Sequence, residues 1–341
     1  MGEPNVEPDA TLREMAAHVA SAGSWHYTVN AGALSLRRKL AERNDFDPKL
    51  EICVTAGTEE ALYSIFQAWV DEGDEVLVPD PGFIAYPTLA RICGATAVPY
   101  ALTPPEWTLD VDALRRRVTP RTKLIVVNSP SNPLGSVLDR ATLQAIAELG
   151  PLVVSDEIYS EIWYDAPPPS MAGMGRNVIV VNGMSKSHSM TGLRLGWVYA
   201  DEVVMRDIVV AHQYVATCAS SFAQQLAESI LDAPEWNAEW LAGVRAQFRE
   251  QREAALHAIE HELEVKIPPP AGAFYAFAPV PACSTLPFAR ALATDEGVLV
   301  IPGVAFGSMG EGFIRISFAA APQTIATGIE RIGRALRAER R

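Results

Sequence analysis

The feature that most constrains the fold is an alternation of short β-branched runs with amphipathic helical stretches, from about residue 50 onward. This alternation is typical of a parallel sheet crossed by helices, because each parallel strand needs a long connection to the next. The predicted strands are Ile52–Thr55, Glu75–Pro79, Thr96–Pro99, Lys123–Asn128, Leu152–Asp156 and Val178–Asn182. The predicted helices between them include Glu59–Asp71, Val111–Val118 and Arg140–Leu149. We therefore expect an α/β fold, a three-layer sandwich around a mostly parallel sheet.

The pattern changes after about Ala233. A long charged helix, predicted at Trp236–Leu263, precedes Pro268–Pro270 and a second set of shorter strands and helices. A chain of 341 residues, 49% of them hydrophobic, is long enough to form two lobes. We expect a large domain over residues 28–235 and a smaller α+β domain built from residues 1–27 and 236–341.

Composition and charge exclude several functional classes. A formal net charge of -13 disfavours a nucleic-acid surface, because it repels phosphate over most of the molecule. No basic leader and no apolar run of membrane-spanning length is present, so we expect a cytoplasmic protein without a membrane partner. The cysteines lack CxxC spacing, so we expect buried thiols, with neither a metal site nor a disulfide framework, at Cys53, Cys93, Cys218 and Cys283.

One lysine stands out among the few that the chain contains. Four lysines lie on a polar helix face or beside the start of a predicted strand, where a solvated charge is ordinary: Lys39, Lys49, Lys123 and Lys266. Lys186 instead follows the apolar strand Val178–Val181, among small and hydroxyl residues. Without an obvious carboxylate partner its ammonium form is disfavoured, and its amine becomes nucleophilic toward a carbonyl group. A lysine in a polar loop is the alternative interpretation.

Further candidates end or follow the other core strands. Asp156 lies at the carboxyl end of its strand, where an acid can pair with a protonated pyridine nitrogen, and Tyr159 can donate to the oxygen on that ring. A helix cap is the alternative role of Asp156. In Asn128–Gly135 an Asn amide can donate to a ring oxygen, although a simple Pro-rich turn would look similar.

Groups for a phosphate and for an aromatic ring are also present. The amides of Gly57-Thr58-Glu59 begin a predicted helix and can attract a phosphate, although a capped helix start would look alike. Arg194, eight residues after Lys186, offers a charged fork to the same phosphate. Phe83 can stack on a flat ring or simply belong to the core.

Taken in order, these motifs and Phe313–Phe318 resemble the class I/II aminotransferases of the fold-type-I pyridoxal-phosphate superfamily, over nearly the whole chain. The resemblance implies that Lys186 forms a Schiff base with the cofactor and shuttles the substrate's α-proton, while Asp156 binds the pyridine nitrogen. It implies that O3' is held by Asn132 and Tyr159, and that Phe83 stacks on the ring. The phosphate ligands that it implies are Arg194, Ser185 and the amides of Gly57, Thr58 and Glu59.

The same resemblance suggests how substrate and subunits are arranged. Arg315 matches the family's arginine for the substrate α-carboxylate, with Asn132 beside it, and the backbone of Gly2 would face that carboxylate from a frayed chain end. Tyr27 resembles a tyrosine that reaches the phosphate of the neighbouring subunit, which implies a homodimer with shared active sites. The Gly2-Glu3-Pro4 segment resembles one found further into family members, so we expect the arm that clasps the partner subunit to be missing.

We therefore expect a ping-pong aminotransferase that acts on an L-amino acid and a 2-oxo acid with pyridoxal 5'-phosphate. A C–S β-lyase, or another enzyme that forms an α-carbanion, is the main alternative, because these reactions share their first steps. A non-catalytic pyridoxal-phosphate sensor is disfavoured by the lack of a basic DNA-binding segment. No GxGxxG motif follows a strand, which disfavours a dehydrogenase, and Gly303–Gly312 is predicted to be a loop. No second arginine for a dicarboxylate is evident, so neutral amino acids remain open as substrates.

Overall fold

A computed structural model describes residues 2–42, 44, 46–280 and 284–339. Its large sheet contains β1 (Ile52–Thr55), β2 (Glu75–Asp80), β3 (Thr96–Thr103), β4 (Thr108–Leu109), β5 (Thr122–Asn128), β6 (Leu152–Asp156), β7 (Val178–Gly183) and β8 (Gly196–Tyr199). The strand order is β1-β8-β7-β6-β5-β2-β3-β4. Strands β7, β6, β5, β2 and β3 run parallel, whereas β8 is antiparallel to both β7 and β1. The mostly parallel sheet is confirmed.

Helices connect and cover the strands. They are α1 (Ala10–Ala22), α2 (Leu34–Ala41), α3 (Thr58–Trp69), α4 (Ala85–Ile92), α5 (Val111–Arg115), α6 (Arg140–Ala147), α7 (Glu202–Ala216), α8 (Ser221–Leu231), α9 (Pro234–Leu263), α10 (Thr285–Ala291) and α11 (Pro322–Glu339). The three connecting helices that the sequence predicts are present as α3, α5 and α6. Helix α5 ends three residues early, at Arg115, and α9 begins two residues early at Pro234, which suits a first helical turn.

The register of the central strands determines where the polar side chains meet. Apart from the half-buried Leu152, the apolar residues of β5, β6 and β7 are buried on both faces of the sheet, as expected for parallel strands. Asn128 pairs with Asp156 across β5 and β6, and Asp156 pairs with Val181 across β6 and β7. Parallel strands place their carboxyl ends at one edge, so Asn128, Asp156 and the segment that leads to Lys186 meet there.

A second, antiparallel sheet contains β9 (Tyr275–Pro279), β10 (Ile301–Pro302) and β11 (Phe313–Ser317), in the order β10-β11-β9. Helices α9 and α11 pack against each other beside it. The segment Gly303–Gly312, predicted to be a loop, contains two short 3₁₀ turns at Gly303–Phe306 and Ser308–Gly310. The small antiparallel sheet and its helices match the expected α+β unit, while the domain boundaries at 27/28 and 235/236 stay a prediction.

Two findings bear on the functional classes considered above. Within the described ranges, no helix combines the length and apolar character needed to cross a bilayer. Cys53 is a buried free thiol, but Cys93 and Cys218 are only half-buried, so the expectation of buried cysteines is wrong for these two; Cys283 lies outside the described residues.

Candidate active site

Asp156 ends β6 as a buried carboxylate. Its side chain is only 4% exposed and accepts a hydrogen bond of 2.8 Å from the hydroxyl of Tyr86, in the first turn of α4. The backbone N–H of Ile158 donates to the other carboxylate oxygen at 3.3 Å. A turn, not a helix, follows β6, so the alternative role of Asp156 as a helix cap is wrong. The carboxylate is therefore held rigidly at the sheet edge.

The electrostatic environment of Asp156 is unusual for an acid. Burial raises its pKa to about 6, although the hydrogen bond from Tyr86 acts in the opposite direction. Burial also raises the pKa of Tyr86 well above its ordinary value, so this phenol keeps its proton and donates it. A buried carboxylate with its pKa raised in this way is stabilised by a cation that approaches from the open side, such as a protonated ring nitrogen.

Lys186 lies beyond the end of β7. Its Nζ donates a hydrogen bond of 2.7 Å to the carbonyl oxygen of Gly2. Burial lowers the pKa of the Lys186 amine, the nearby Glu3 acts to raise it, and Arg194 lowers it further. No carboxylate forms an ion pair with Lys186 among the described residues. A partly buried amine with a lowered pKa is suited to condense with an aldehyde.

The predicted phosphate ligands meet where β1 leads into α3. Gly57 precedes α3 with a φ of 89°, a region that favours glycine, and the first amides of α3 have no acceptor within the helix. A Cβ atom at Gly57 would lie 2.5 Å from Nη2 of Arg194, so this guanidinium rests on the loop. Arg194 also donates to the backbone oxygen of Thr191 at 2.9 Å. Amides and a cation in this arrangement are suited to hold a phosphate.

At the other end of the site, Arg315 projects from β11 and is only 8% exposed. Its Nη1 donates to Oδ1 of Asn132 at 2.9 Å, and its Cζ lies 4.4 Å from the ring centre of Tyr275 and 5.1 Å from that of Phe306. Its Nε is buried without a hydrogen-bond partner, and burial lowers its pKa. This guanidinium is ready to bind an anion such as a carboxylate.

The other candidates for the ring and the phosphate are buried or half-buried. Oδ1 of Asn132 is occupied by Arg315, which leaves the amide nitrogen as a donor. The hydroxyl of Tyr159 lies 3.0 Å from that of Tyr275. Phe83 is half-buried and meets Tyr86 edge to face, with 5.6 Å between the ring centres. Ser185 is buried in the segment that carries Lys186.

Two predicted residues behave differently from the rest. Gly2 is packed rather than frayed, because a Cβ atom there would lie 1.7 Å from the hydroxyl of Tyr275. Tyr27 does not join the other candidates within this chain and is 86% exposed. The residues that the sequence did not reveal are Tyr86, Tyr275 and Phe306. Tyr86 could have been suspected, since it follows Phe83 by three residues, but no local pattern marks Tyr275 or Phe306.

Comparison with known proteins agrees with the geometry. The model of the family Aminotransferase class I and II matches residues 2–332. A probable N-acetyl-LL-diaminopimelate aminotransferase of Bacillus subtilis is 34% identical over 346 residues, which cover 97% of this chain and 87% of that protein. An aspartate aminotransferase of Pyrococcus abyssi is 33% identical over 355 residues, covering 99% and 90%. The crystal structure of an aromatic aminotransferase from Pyrococcus horikoshii has a TM-score of 0.93 at 34% identity, covering 100% and 95%.

The residues present also fit the family's cofactor, pyridoxal phosphate. A buried acid faces the edge where an amine of lowered pKa emerges, and close glycine contacts leave backbone amides beside an arginine. These groups match a pyridine nitrogen, an aldehyde and a phosphate respectively. The chain therefore belongs to the class I and II aminotransferases and is a pyridoxal-phosphate-dependent enzyme.

Proposed function

We propose that this enzyme performs a ping-pong transamination in which Lys186 holds the cofactor and moves the substrate's α-proton. Pyridoxal phosphate supplies an electron sink that stabilises negative charge on the substrate's α-carbon. The observation that carries the proposal is a buried acid, Asp156, at the same sheet edge as an amine of lowered pKa. Asp156 keeps the ring nitrogen protonated, and Asn132 and Tyr159 donate to the ring oxygen. Phe83 lies against the ring.

The phosphate and the substrate are bound at opposite ends of the site. Arg194 and the amides of Gly57, Thr58 and Glu59 hold the phosphate, with Ser185 nearby. Arg315 binds the α-carboxylate of the amino acid beside Asn132, because its Nε lacks a partner and its guanidinium is fixed between two rings. Gly2 faces the same region, and its carbonyl oxygen accepts a hydrogen bond from the Lys186 amine while that amine is free.

The relatives differ most in the side chain of the amino acid that their names specify. Their names specify N-acetyl-LL-diaminopimelate, aspartate and aromatic amino acids, so similarity alone supports several classes. Around Arg315 the structure has the aromatic rings of Tyr275 and Phe306. We propose a neutral amino acid as donor and a 2-oxo acid as acceptor. A cytoplasmic location also stays a prediction.

We further propose a homodimer with shared active sites. Trp25, Tyr27 and Val29 are 76%, 86% and 62% exposed, and Tyr214 on α7 is 83% exposed. The side chain of Asn30 donates to the backbone of Thr217 at 2.8 Å, which places this segment beside the end of α7. An exposed apolar surface of this kind is typical of subunit contacts. Tyr27 would then reach the phosphate of the partner subunit.

Mixing two inactive variants tests the shared site. If Tyr27 acts across the interface, hybrids of Lys186→Ala and Tyr27→Ala subunits contain one site with both native residues. In isolated hybrids, one of the two sites should then bind the cofactor and turn over substrate as in the wild-type protein. Recovery would be absent if Tyr27 acted within its own chain, and a monomer in sedimentation velocity would contradict the dimer itself.

Replacement of Lys186 tests the central proposal. The wild-type protein, reconstituted with pyridoxal phosphate, should show a visible absorbance band that amino donors bleach. Lys186→Ala should lose this band and about 10⁴-fold in kcat, since it lacks both the attachment point and the proton carrier. Lys123→Ala, which removes an exposed lysine of β5, is the control.

A panel of amino donors with 2-oxoglutarate or pyruvate then identifies the substrate. Transfer of the amino group to the oxo acid supports transamination, and preference for a neutral donor supports the proposed substrate class. Release of pyruvate and ammonia from cysteine conjugates, without amino transfer, contradicts the proposal. So does a band that persists in Lys186→Ala.

A further inference from the structure

We infer that Tyr275 is a positioning residue that links the two ends of the site, with its hydroxyl directing the proton of Tyr159 and its ring fixing Arg315. The inference rests on the proposed roles of Tyr159 at the ring oxygen and of Arg315 at the carboxylate. The hydroxyl and the ring of Tyr275 therefore have separate roles.

The ring of Tyr275 holds the guanidinium of Arg315. Tyr275 begins β9, and Arg315 lies opposite Phe277 in the register of β9 and β11, so Tyr275 is its diagonal neighbour. Long and aromatic side chains reach each other at this separation. Cζ of Arg315 lies 4.4 Å from the centre of the Tyr275 ring, within the range of a cation–π interaction. Among the described residues the Arg315 side chain donates a hydrogen bond only to Asn132, so ring contacts supply much of its orientation.

The hydroxyl of Tyr275 determines how Tyr159 uses its proton. The two phenol oxygens lie 3.0 Å apart, and each carries one proton. When Tyr159 donates its proton to the ring oxygen of the cofactor, it cannot also donate to Tyr275. The bond between the phenols must then be donated by Tyr275, and a donated bond makes Tyr159 a stronger donor in turn. Burial raises the pKa of both tyrosines, so both keep their protons.

Packing keeps this hydroxyl in place. Tyr275 is 1% exposed, and its ring meets that of Tyr159 edge to face, with 5.8 Å between the centres. On another side the hydroxyl touches Gly2, where a Cβ atom would collide with it, and Gly2 accepts the hydrogen bond from Lys186. The hydroxyl therefore lies between the residue that holds the amine and the residue that holds the ring oxygen.

Two substitutions separate the roles of hydroxyl and ring. Tyr275→Phe keeps the ring but removes the proton that Tyr159 accepts. The visible absorbance of the bound cofactor, titrated without substrate, should then have its midpoint raised by about 0.5 to 1 pH unit, because a weaker donor stabilises less negative charge on the ring oxygen. KM should stay within about twofold of wild type, since the ring over Arg315 remains.

Tyr275→Leu removes the ring as well. KM for the amino donor should rise by about 2- to 30-fold, since a cation–π contact contributes on the order of 0.5 to 2 kcal/mol. The matched control is Tyr164→Phe, which removes another buried hydroxyl, one that donates to the backbone oxygen of Ala273 at 2.6 Å. It should leave both the titration midpoint and KM unchanged.

Comparison with Tyr159→Phe distinguishes failure of the inference from failure of the proposed function. A raised midpoint in Tyr159→Phe together with a wild-type midpoint in Tyr275→Phe overturns the role of the Tyr275 hydroxyl. A wild-type midpoint in both variants overturns the proposed role of Tyr159 instead. A wild-type KM in Tyr275→Leu overturns the role of the ring. Should Tyr275→Leu fail to fold, KM measured with Tyr275→Val tests the role of the ring. The titration of Tyr275→Phe still tests the role of the hydroxyl.

Discussion

The two ends of the active site differ in whether the protein itself supplies partners for the buried charge. At the cofactor end, the Asp156 carboxylate receives donors from Tyr86 and from the backbone, so the chain itself supplies its partners. At the carboxylate end, Arg315 has one amide oxygen and two aromatic faces, and no carboxylate contacts it among the described residues. The buried acid already has its hydrogen-bond donors, whereas in the proposed mechanism the buried cation gains its anionic partner from the substrate.

This difference explains how a substrate's carboxylate can bind Arg315 without a rearrangement of the protein. Removing Arg315 from water costs free energy during folding, when no anion offsets it. A carboxylate that later pairs with the guanidinium gains a charge-assisted, bidentate hydrogen bond without further ordering of the protein. At the cofactor end, by contrast, the proposed role of Asp156 is to set the protonation of a ring that stays bound through the catalytic cycle.

Among the substitutions that test this comparison, Arg315→Leu should have the largest effect. Loss of one partner of a buried charge pair costs about 2 to 5 kcal/mol of binding, so kcat/KM should fall by roughly 30- to 4000-fold. The fall should lie mainly in KM. The free energy of unfolding without substrate should stay the same or rise, because an unpaired buried cation is replaced by an apolar group. Steady-state kinetics and urea unfolding measure the two quantities.

Arg252→Leu is the matched control for that substitution. Arg252 is also buried and lies 4.3 Å from the ring centre of Tyr164, but it donates to the backbone oxygen of Pro270 and pairs with Glu253. Its loss should lower the free energy of unfolding and leave KM unchanged. If Arg315→Leu instead destabilises the protein as much as Arg252→Leu and spares KM, the carboxylate end has been misassigned.

The two ends of the site also differ in how well the sequence predicts them. The cofactor end is predictable, because apolar runs define β5, β6 and β7, and parallel pairing must bring their polar ends together. The strand pattern therefore predicts Asp156 and Lys186 as candidates. It does not predict the surroundings of Arg315, since Tyr275 and Phe306 come from separate segments and their directions depend on tertiary packing. The antiparallel β8 was also missed, because a short strand inserted between β1 and β7 leaves no periodic signal of its own.

A smaller effect, on stability, should come from Asp156→Asn. Burial raises the folded-state pKa of Asp156 from 3.8 to about 6. Between these values the folded protein holds a proton that the unfolded chain has lost, so the free energy of unfolding falls as pH rises through this window. Asn does not titrate. The variant without cofactor should therefore gain stability relative to wild type from pH 4 to pH 6, by up to about 3 kcal/mol.

Asp139→Asn should show the opposite trend, which makes it a useful control. Asp139 caps α6, and the hydrogen bond from the backbone of Thr142 lowers its pKa. Its ionised form stabilises the fold, so removing the charge should cost more stability at pH 6 than at pH 3. Urea unfolding across this pH range measures both variants. If the difference in stability between Asp156→Asn and wild type does not change with pH, the folded-state pKa of Asp156 is not raised.

The smallest effect should come from the phosphate-binding loop at Gly57, and it tests whether Arg194 and this loop hold the phosphate together. Gly57 and Gly73 have nearly equal φ values, 89° and 88°, but only at Gly57 would a Cβ meet another group, Nη2 of Arg194. Alanine at either position should cost about 1 to 3 kcal/mol of stability through backbone strain. Gly57→Ala alone should also weaken pyridoxal-phosphate binding, by about 10-fold, because it displaces a charged donor. Fluorescence titration measures the cofactor affinity of both variants. Equal affinities would show that the contact between Arg194 and this loop does not contribute to phosphate binding.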